Sequence, residues 1–274
     1  NQTGTVTGRL SSDYPNLQNI PIRSTLGARV REGFIARPGF TLVAFDYAQI
    51  ELKILASFAK DEKMTAAFQK NIDIHRATAA AINHVTLDEV TSQMRSRAKA
   101  INFGIIYGMG VRQLAQNTGM TQTEASTFYR EYFESFPRIR SYINATKALV
   151  YKQGYVETFF GRRRYFNLKQ IQGNKFLEAE MERMAVNAVI QGTDADIMKR
   201  AMIVIDGVCD ATLVHPLIQI HDEMIYEIKK EHVERYIKVI RKTMEDVLRL
   251  EAPLSVHIKV GPRWGEMKEY EGSL

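Results

Sequence analysis

Hydrophobic spacing divides the chain into regions with different periods. Residues 40–45 (FTLVAF) form a short apolar, β-branched run after a Pro-Gly pair, which predicts a strand with Asp46 at its end. From 49 to 58, Ile50, Ile54, Leu55 and Phe58 recur at helical spacing, giving the order strand, Asp, helix. The helical period then dominates from about 61 to 189. Helices are predicted over 87–107, over 121–133 behind a Thr-Gln-Thr-Glu start with the form of a capping box, and over 139–152. Another helical region covers 178–208, with a break expected at Gln191-Gly192-Thr193. Between 216 and 228 the period falls to two. Ile218 and Ile220 alternate, as do Met224, Tyr226 and Ile228, predicting two strands around a turn at His221-Asp222. A helix over 231–250 and an alternating strand over 254–260 complete the pattern. The first thirty residues, rich in Gly, Ser, Asn and Pro, read as irregular or short-strand structure. Strands toward both ends with helices between them predict an α+β fold carrying a helical insertion.

Composition narrows the class of partner. The 274 residues are 45% hydrophobic and 25% charged, ordinary for a globular chain long enough to bury a real core. A net charge of +6 favours a polyanionic partner. Cys209 is the only cysteine, which excludes an intrachain disulfide and a multi-thiolate zinc site. No apolar run approaches membrane-span length. The opening NQTGTVTG has neither an initiator Met nor a signal-like stretch, and reads as a cut through a larger protein.

The chemistry concentrates in residues 94–108, MRSRAKAINFGIIYG. Arg95, Lys99, Phe103 and Tyr107 recur every fourth residue, and on a helix each such step drifts by only about 40°. Two cations followed by two rings suit a ligand with a polyphosphate at one end and a flat ring at the other. Taken alone, the same spacing also fits a solvated charged face beside an aromatic core stripe. Asp46 after a strand and Asp222 in a turn would converge if their strands pair, offering the hard oxygen ligands that Mg²⁺ prefers.

Three segments, DYAQIEL (46–52), RSRAKAINFGIIYG (95–108) and QIHDE (219–223), resemble motifs A, B and C of the A-family DNA polymerases, the bacterial DNA polymerase I group. Order matches, as do the flanking TGRLSSDYPNLQNIP (7–21), DIH (73–75), FGRRR (160–164) and QGTDADIMK (191–199). The resemblance implies an antiparallel-sheet palm with a large helical fingers insertion, the palm over 1–48 and 196–274 and the fingers over 49–195. It implies a template-directed DNA polymerase core that adds deoxynucleotides to a primer 3′-hydroxyl and releases pyrophosphate. Two Mg²⁺ ions, replaceable by Mn²⁺, would be held by Asp46, Asp222 and the Tyr47 carbonyl.

The resemblance also distributes roles. Arg95 and Lys99 would bind the β- and γ-phosphates, with Lys99 placed to protonate the leaving group and His75 near the triphosphate. Phe103 would pack on the incoming sugar and base, Tyr107 would stack where the templating base arrives, and Gln49 joins the nucleotide-binding positions. Glu51, packed with Tyr107, would fill the space of a 2′-hydroxyl and so select deoxynucleotides. Arg9, Asn16, Gln18, Asn19 and Gln191 match minor-groove contacts to primer–template DNA, where Watson–Crick pairs present similarly placed acceptors. Arg162, Arg163 and Arg164 would hold the template strand, and His221, with Glu223, would order the primer end. Phe103, where some members carry Tyr, implies discrimination against dideoxynucleotides. Ala48 and Ser96 depart from the common Ser and Arg.

Family members carry a thumb and an exonuclease-like domain ahead of TGRLS, so the 274 residues alone are expected to bind primer–template weakly. A monomer is expected, in the cytoplasm of a bacterium or phage-infected cell, with an organellar origin left open. A two-metal nuclease would also use acids, but has no use for a cationic triphosphate helix. A non-catalytic remnant would be expected to have lost Asp46, Asp222 or Lys99.

Overall fold

The computed structural model describes residues 1–21, 25–171 and 173–272. In chain order the helices are α1 (Thr25–Glu32), α2 (Ile50–Ala59), α3 (Glu62–Gln69), α4 (Ile74–Asn83), α5 (Ser92–Ile106), α6 (Val111–Thr118), α7 (Gln122–Ser135), α8 (Pro137–Gln153), α9 (Leu168–Ile171), α10 (Lys175–Val208) and α11 (Val233–Asp246). The strands are β1 (Phe40–Tyr47), β2 (Tyr155–Glu157), β3 (Arg163–Tyr165), β4 (Val214–Ile220), β5 (Glu223–Lys229), β6 (Val256–Gly261) and β7 (Lys268–Glu269). The fold is α+β, as the pattern predicts, and divides into two compact units.

The first unit comprises Asn1–Ile50, Asp194–Arg249 and Leu254–Leu274. Its centre is an antiparallel sheet in the order β4-β5-β1-β6-β7. β1 lies in the middle and is buried on both faces from Leu42 to Phe45, which explains its continuous rather than alternating apolar run. Leu42 and Ala44 point to one face, where they pack with Ile220, Ile225 and Trp264. Phe45 meets Tyr226 edge-on at 5.9 Å on the other face, where Tyr47 donates its hydroxyl hydrogen to the Met244 carbonyl on α11 at 2.8 Å.

The second unit comprises Glu51–Thr193 and Leu250–Pro253 and contains the helical insertion. The short return segment belongs to it because the Ala252 N–H donates to Ser57 Oγ at 3.0 Å, while Gln69 donates to the Glu251 carbonyl at 2.9 Å. A small hairpin of β2 and β3 packs near the apolar cluster of Val150, Val156, Met181, Ala185, Ala188 and Val189.

Several boundaries differ from the sequence reading. α5 starts at Ser92 rather than 87, because Thr91 caps it by accepting from the Met94 N–H at 3.2 Å. The capping box at Thr121 and Glu124 forms as predicted. No break interrupts α10 at Gly192. The Gly192 carbonyl accepts from Arg162 and Thr193 Oγ bonds back to the Val189 carbonyl, so neighbouring partners offset glycine's weak helix preference. α1 falls where irregular structure was expected. Its Leu26 and Val30 are exposed, so it carries no apolar stripe for the sequence to display.

Candidate active site

At one end of the sheet, β1 and the β4–β5 hairpin bring together acids far apart in sequence. Asp46 stands directly opposite Glu223 on β5, and the Tyr47 N–H donates to the Asp222 carbonyl at 3.0 Å. The hairpin turns in two residues, with His221 at φ 48°, a left-handed conformation that histidine tolerates better than most side chains. His221 is solvent-exposed at the tip. Beside the acids lies a cleft of about 390 Å³ lined by Arg31, Lys259, Trp264 and Met267 among others.

Crowded charge perturbs these acids. Desolvation first, then repulsion from Glu223 and Asp222, pushes the Asp46 carboxyl up to about 7. Desolvation also raises Glu223, against the pull of Lys259 and Arg31. The carboxylates of Asp46, Asp222 and Glu223 gather hard oxygen donors of the kind a divalent cation prefers, with Arg9 and Lys259 as the cations nearby. Among the described residues no group of three His, Cys, Asp or Glu side chains has metal-holding geometry, so water and a ligand would have to complete any coordination shell.

Of the residues expected to touch DNA in this unit, Arg9, Asn16 and Gln18 hold hydrogen bonds within it. Arg9 Nη2 donates to Asp194 Oδ2 at 2.7 Å and to Asp222 Oδ1 at 3.3 Å. Gln18 Nε2 donates to the Gln219 carbonyl at 3.1 Å and to its Oε1 at 3.2 Å. Asn16 caps the short 3₁₀ turn at Leu17–Asn19 by accepting from the Gln18 N–H, and Asn19 is exposed. Gln49, in the β1–α2 turn, has φ 54°.

In the second unit α5 has two distinct faces. Ala98, Ile101, Asn102 and Ile105 are buried, leaving Arg95 and Lys99 exposed and Phe103 half-buried on the other side. Tyr107 is not itself helical but forms the C-cap, half-exposed, and its hydroxyl donates to Glu51 Oε2 at 2.9 Å. Arg95 makes a two-nitrogen contact with Asp73 Oδ2, at 2.9 Å from Nε and 2.6 Å from Nη2. Burial works against ionisation of Asp73, but these bonds and the α4 N-terminal N–H groups outweigh it and hold its pKa low.

His75 is only 2% exposed and lies beneath Phe103, ring centroids 5.6 Å apart. Asn102 Nδ2 sits 3.1 Å from its Nδ1 and as donor would leave the proton on Nε2. Burial first, then Arg95 and Lys99 against Asp73, lower its pKa to about 4. Unfolding exposes an imidazole of ordinary pKa, so between pH 6.5 and 4 the unfolded chain takes up a proton that the folded chain refuses. Stability from this residue is full above 6.5 and falls by about 3 kcal/mol as pH drops to 4. Denaturant melts of wild type and His75→Gln from pH 7.5 to 4 should diverge by this slope. Parallel curves would show that the buried ring protonates freely.

The three arginines occupy the small hairpin and its turn. Arg162 donates to the Gly192 carbonyl at 2.9 Å; Arg163 pairs with Glu157 at 3.1 Å and lies over Tyr155; Arg164 lies over Phe166. Gln191 and Tyr107 line one pocket with Arg183, Met184 and Asn187. Four partners lie inside the quoted segments but received no role of their own from the sequence: Asp73, Asn102, Asp194 and Gln219. A polar Asn102 amid the apolar face of α5 was a readable signal; the others depend on long-range pairing.

A family model described as DNA polymerase family A matches residues 1–266. The chain belongs to this family. It is 48% identical over 269 residues to DNA polymerase I of Deinococcus radiodurans, covering 97% of this chain and 28% of that protein. It is 44% identical to the thermostable DNA polymerase I of Thermus aquaticus, covering 98% of this chain and 32% of that protein. The polymerase domain of Pol1 from M. smegmatis, solved in complex with DNA primer-template and dNTP, superposes with a TM-score of 0.91 at 38% identity, covering 97% of this chain and 47% of that one. The chain thus spans about a third of the length of these curated relatives.

Proposed function

We propose that this family A chain is the palm and fingers core of a template-directed DNA polymerase, extending a primer 3′-hydroxyl with deoxynucleotides. The observation that carries the reading is the meeting of Asp46 and Asp222 at one end of the sheet, with Glu223 opposite Asp46. The first unit serves as palm and the second as fingers. Primer–template DNA and deoxynucleoside triphosphates are the partners, and the +6 charge supports a polyanionic one. Among the described residues no helix is long and apolar enough to cross a membrane.

Asp46, Asp222 and the Tyr47 carbonyl would hold two Mg²⁺ ions, with Mn²⁺ able to substitute. Bound there, the ions would supply Lewis-acid activation of the attacking oxygen and neutralise charge on the leaving one. Arg95 and Lys99, exposed on one face of α5, bind the β- and γ-phosphates, and Lys99 gives its proton to the departing pyrophosphate oxygen. Asp73 fixes the Arg95 fork by its two-nitrogen contact. His75, neutral and buried, supports Phe103 from below, where Phe103 carries the sugar and base. Tyr107 and Glu51 close the space around the 2′ carbon. Arg9, Asn16, Gln18, Asn19, Gln191 and His221 address the primer–template, and Arg162, Arg163 and Arg164 the template backbone.

Single-nucleotide addition to a labelled primer in Mg²⁺ tests the reading. Asp222→Ala should fall by about 10³-fold, and Lys99→Ala by about 10² to 10³-fold through loss of a general acid and a charge clamp. Equal rates for wild type and both variants would contradict it.

A further inference from the structure

The same nitrogen of Arg9 serves two acids of unequal burial. Nη2 reaches Asp194 Oδ2 at 2.7 Å and Asp222 Oδ1 at 3.3 Å. The Asp194 side chain is 2% exposed and that of Asp222 is 28% exposed. Asp194 stands inside α10, flanked by buried Thr193 and Ala195. A carboxylate this deep carries a large desolvation cost, and the Arg9 guanidinium at 2.7 Å is one of the groups that offset it. Water weakens the competing pair at Asp222 much more. Of the two contacts, the shorter is the one to the buried acid.

We propose that Asp194 is a positioning residue: it holds the Arg9 guanidinium at its own carboxylate, so that the contact with Asp222 stays the longer of the two and yields more readily to a divalent cation. Without the Asp194 charge, Arg9 has Asp222 as its remaining acidic partner in this pair of contacts. A cation would then have to displace a guanidinium held more tightly at Asp222 than it is here. The inference rests on the metal-binding reading of Asp222 and goes beyond it by assigning a task to an acid that binds no ion itself.

Mn²⁺ titration of the nucleotide-free protein, with free ion read by electron paramagnetic resonance, tests this directly. Asp194→Asn keeps the side-chain shape and should bind Mn²⁺ about tenfold more weakly, the size of one charge-assisted hydrogen bond. The double variant Asp194→Asn with Arg9→Ala removes both charges of the pair and should recover wild-type affinity or better. If Asp194→Asn melts too early for titration, Asp194→Ala, which favours the helix, takes its place. A single variant that binds like wild type overturns the inference, as does a double variant that stays as weak as the single. Those outcomes leave the metal reading standing. A wild type that takes up no Mn²⁺ removes that reading and the inference with it.

Discussion

Asp46→Asn is expected to slow primer extension by about 10³-fold while raising the melting temperature measured in EDTA. The two effects have one origin. Asp46 and Glu223 face each other across adjacent strands, and Asp222 precedes Glu223 in the turn, so like charges meet at one end of the sheet. Directly opposed like charges in a sheet are destabilising, by up to about 1 kcal/mol per pair. At about pH 8, above the Asp46 pKa of about 7, asparagine keeps the shape and removes one charge, which for a chain of this size corresponds to a rise of about 2 °C. The same change removes an anionic ligand, for which the amide oxygen is a poor substitute. Activity within tenfold of wild type would exclude Asp46 as a metal ligand. A lower melting temperature in EDTA would show that this end of the sheet is not under electrostatic strain.

This conflict between stability and chemistry bears on what the sequence could display. The faces of α5 were legible because helical geometry converts fourth-residue spacing into adjacency without reference to the rest of the chain. Ala98, Ile101 and Ile105 turn inward and Arg95 and Lys99 outward accordingly. The β4–β5 hairpin was legible for the same reason, since alternation on either side of His221-Asp222 needs only local rules. What stayed hidden depends on pairing between distant segments. Nothing near Arg9 announces Asp194, and nothing near Gln18 announces Gln219. The continuity of α10 was hidden likewise, because Arg162 and Val189 supply partners that a local reading of Gly192 and Thr193 does not include. α1 failed differently: a helix whose leucine and valine face solvent has no period to read.

Glu51→Ala should reduce selectivity for deoxynucleotides over ribonucleotides by about two orders of magnitude, mainly through faster ribonucleotide use. Glu51 is 5% exposed and accepts from the Tyr107 hydroxyl at 2.9 Å. Each side chain limits the other's rotamers, so the pair forms a wall with a fixed edge rather than a mobile carboxylate. Alanine deletes the wall and releases Tyr107, whose half-exposed ring can satisfy its hydroxyl with water, so folding should change little. Glu51→Gln separates volume from charge. The amide oxygen can still accept from Tyr107, and the space remains filled. Steady-state kcat/KM for paired ribo- and deoxynucleotides on one template would then give near wild-type ratios for Gln and a collapsed ratio for Ala. An Ala variant with the wild-type ratio would remove Glu51 from sugar selection. A Gln variant as permissive as Ala would transfer the effect from the shape of the side chain to its charge.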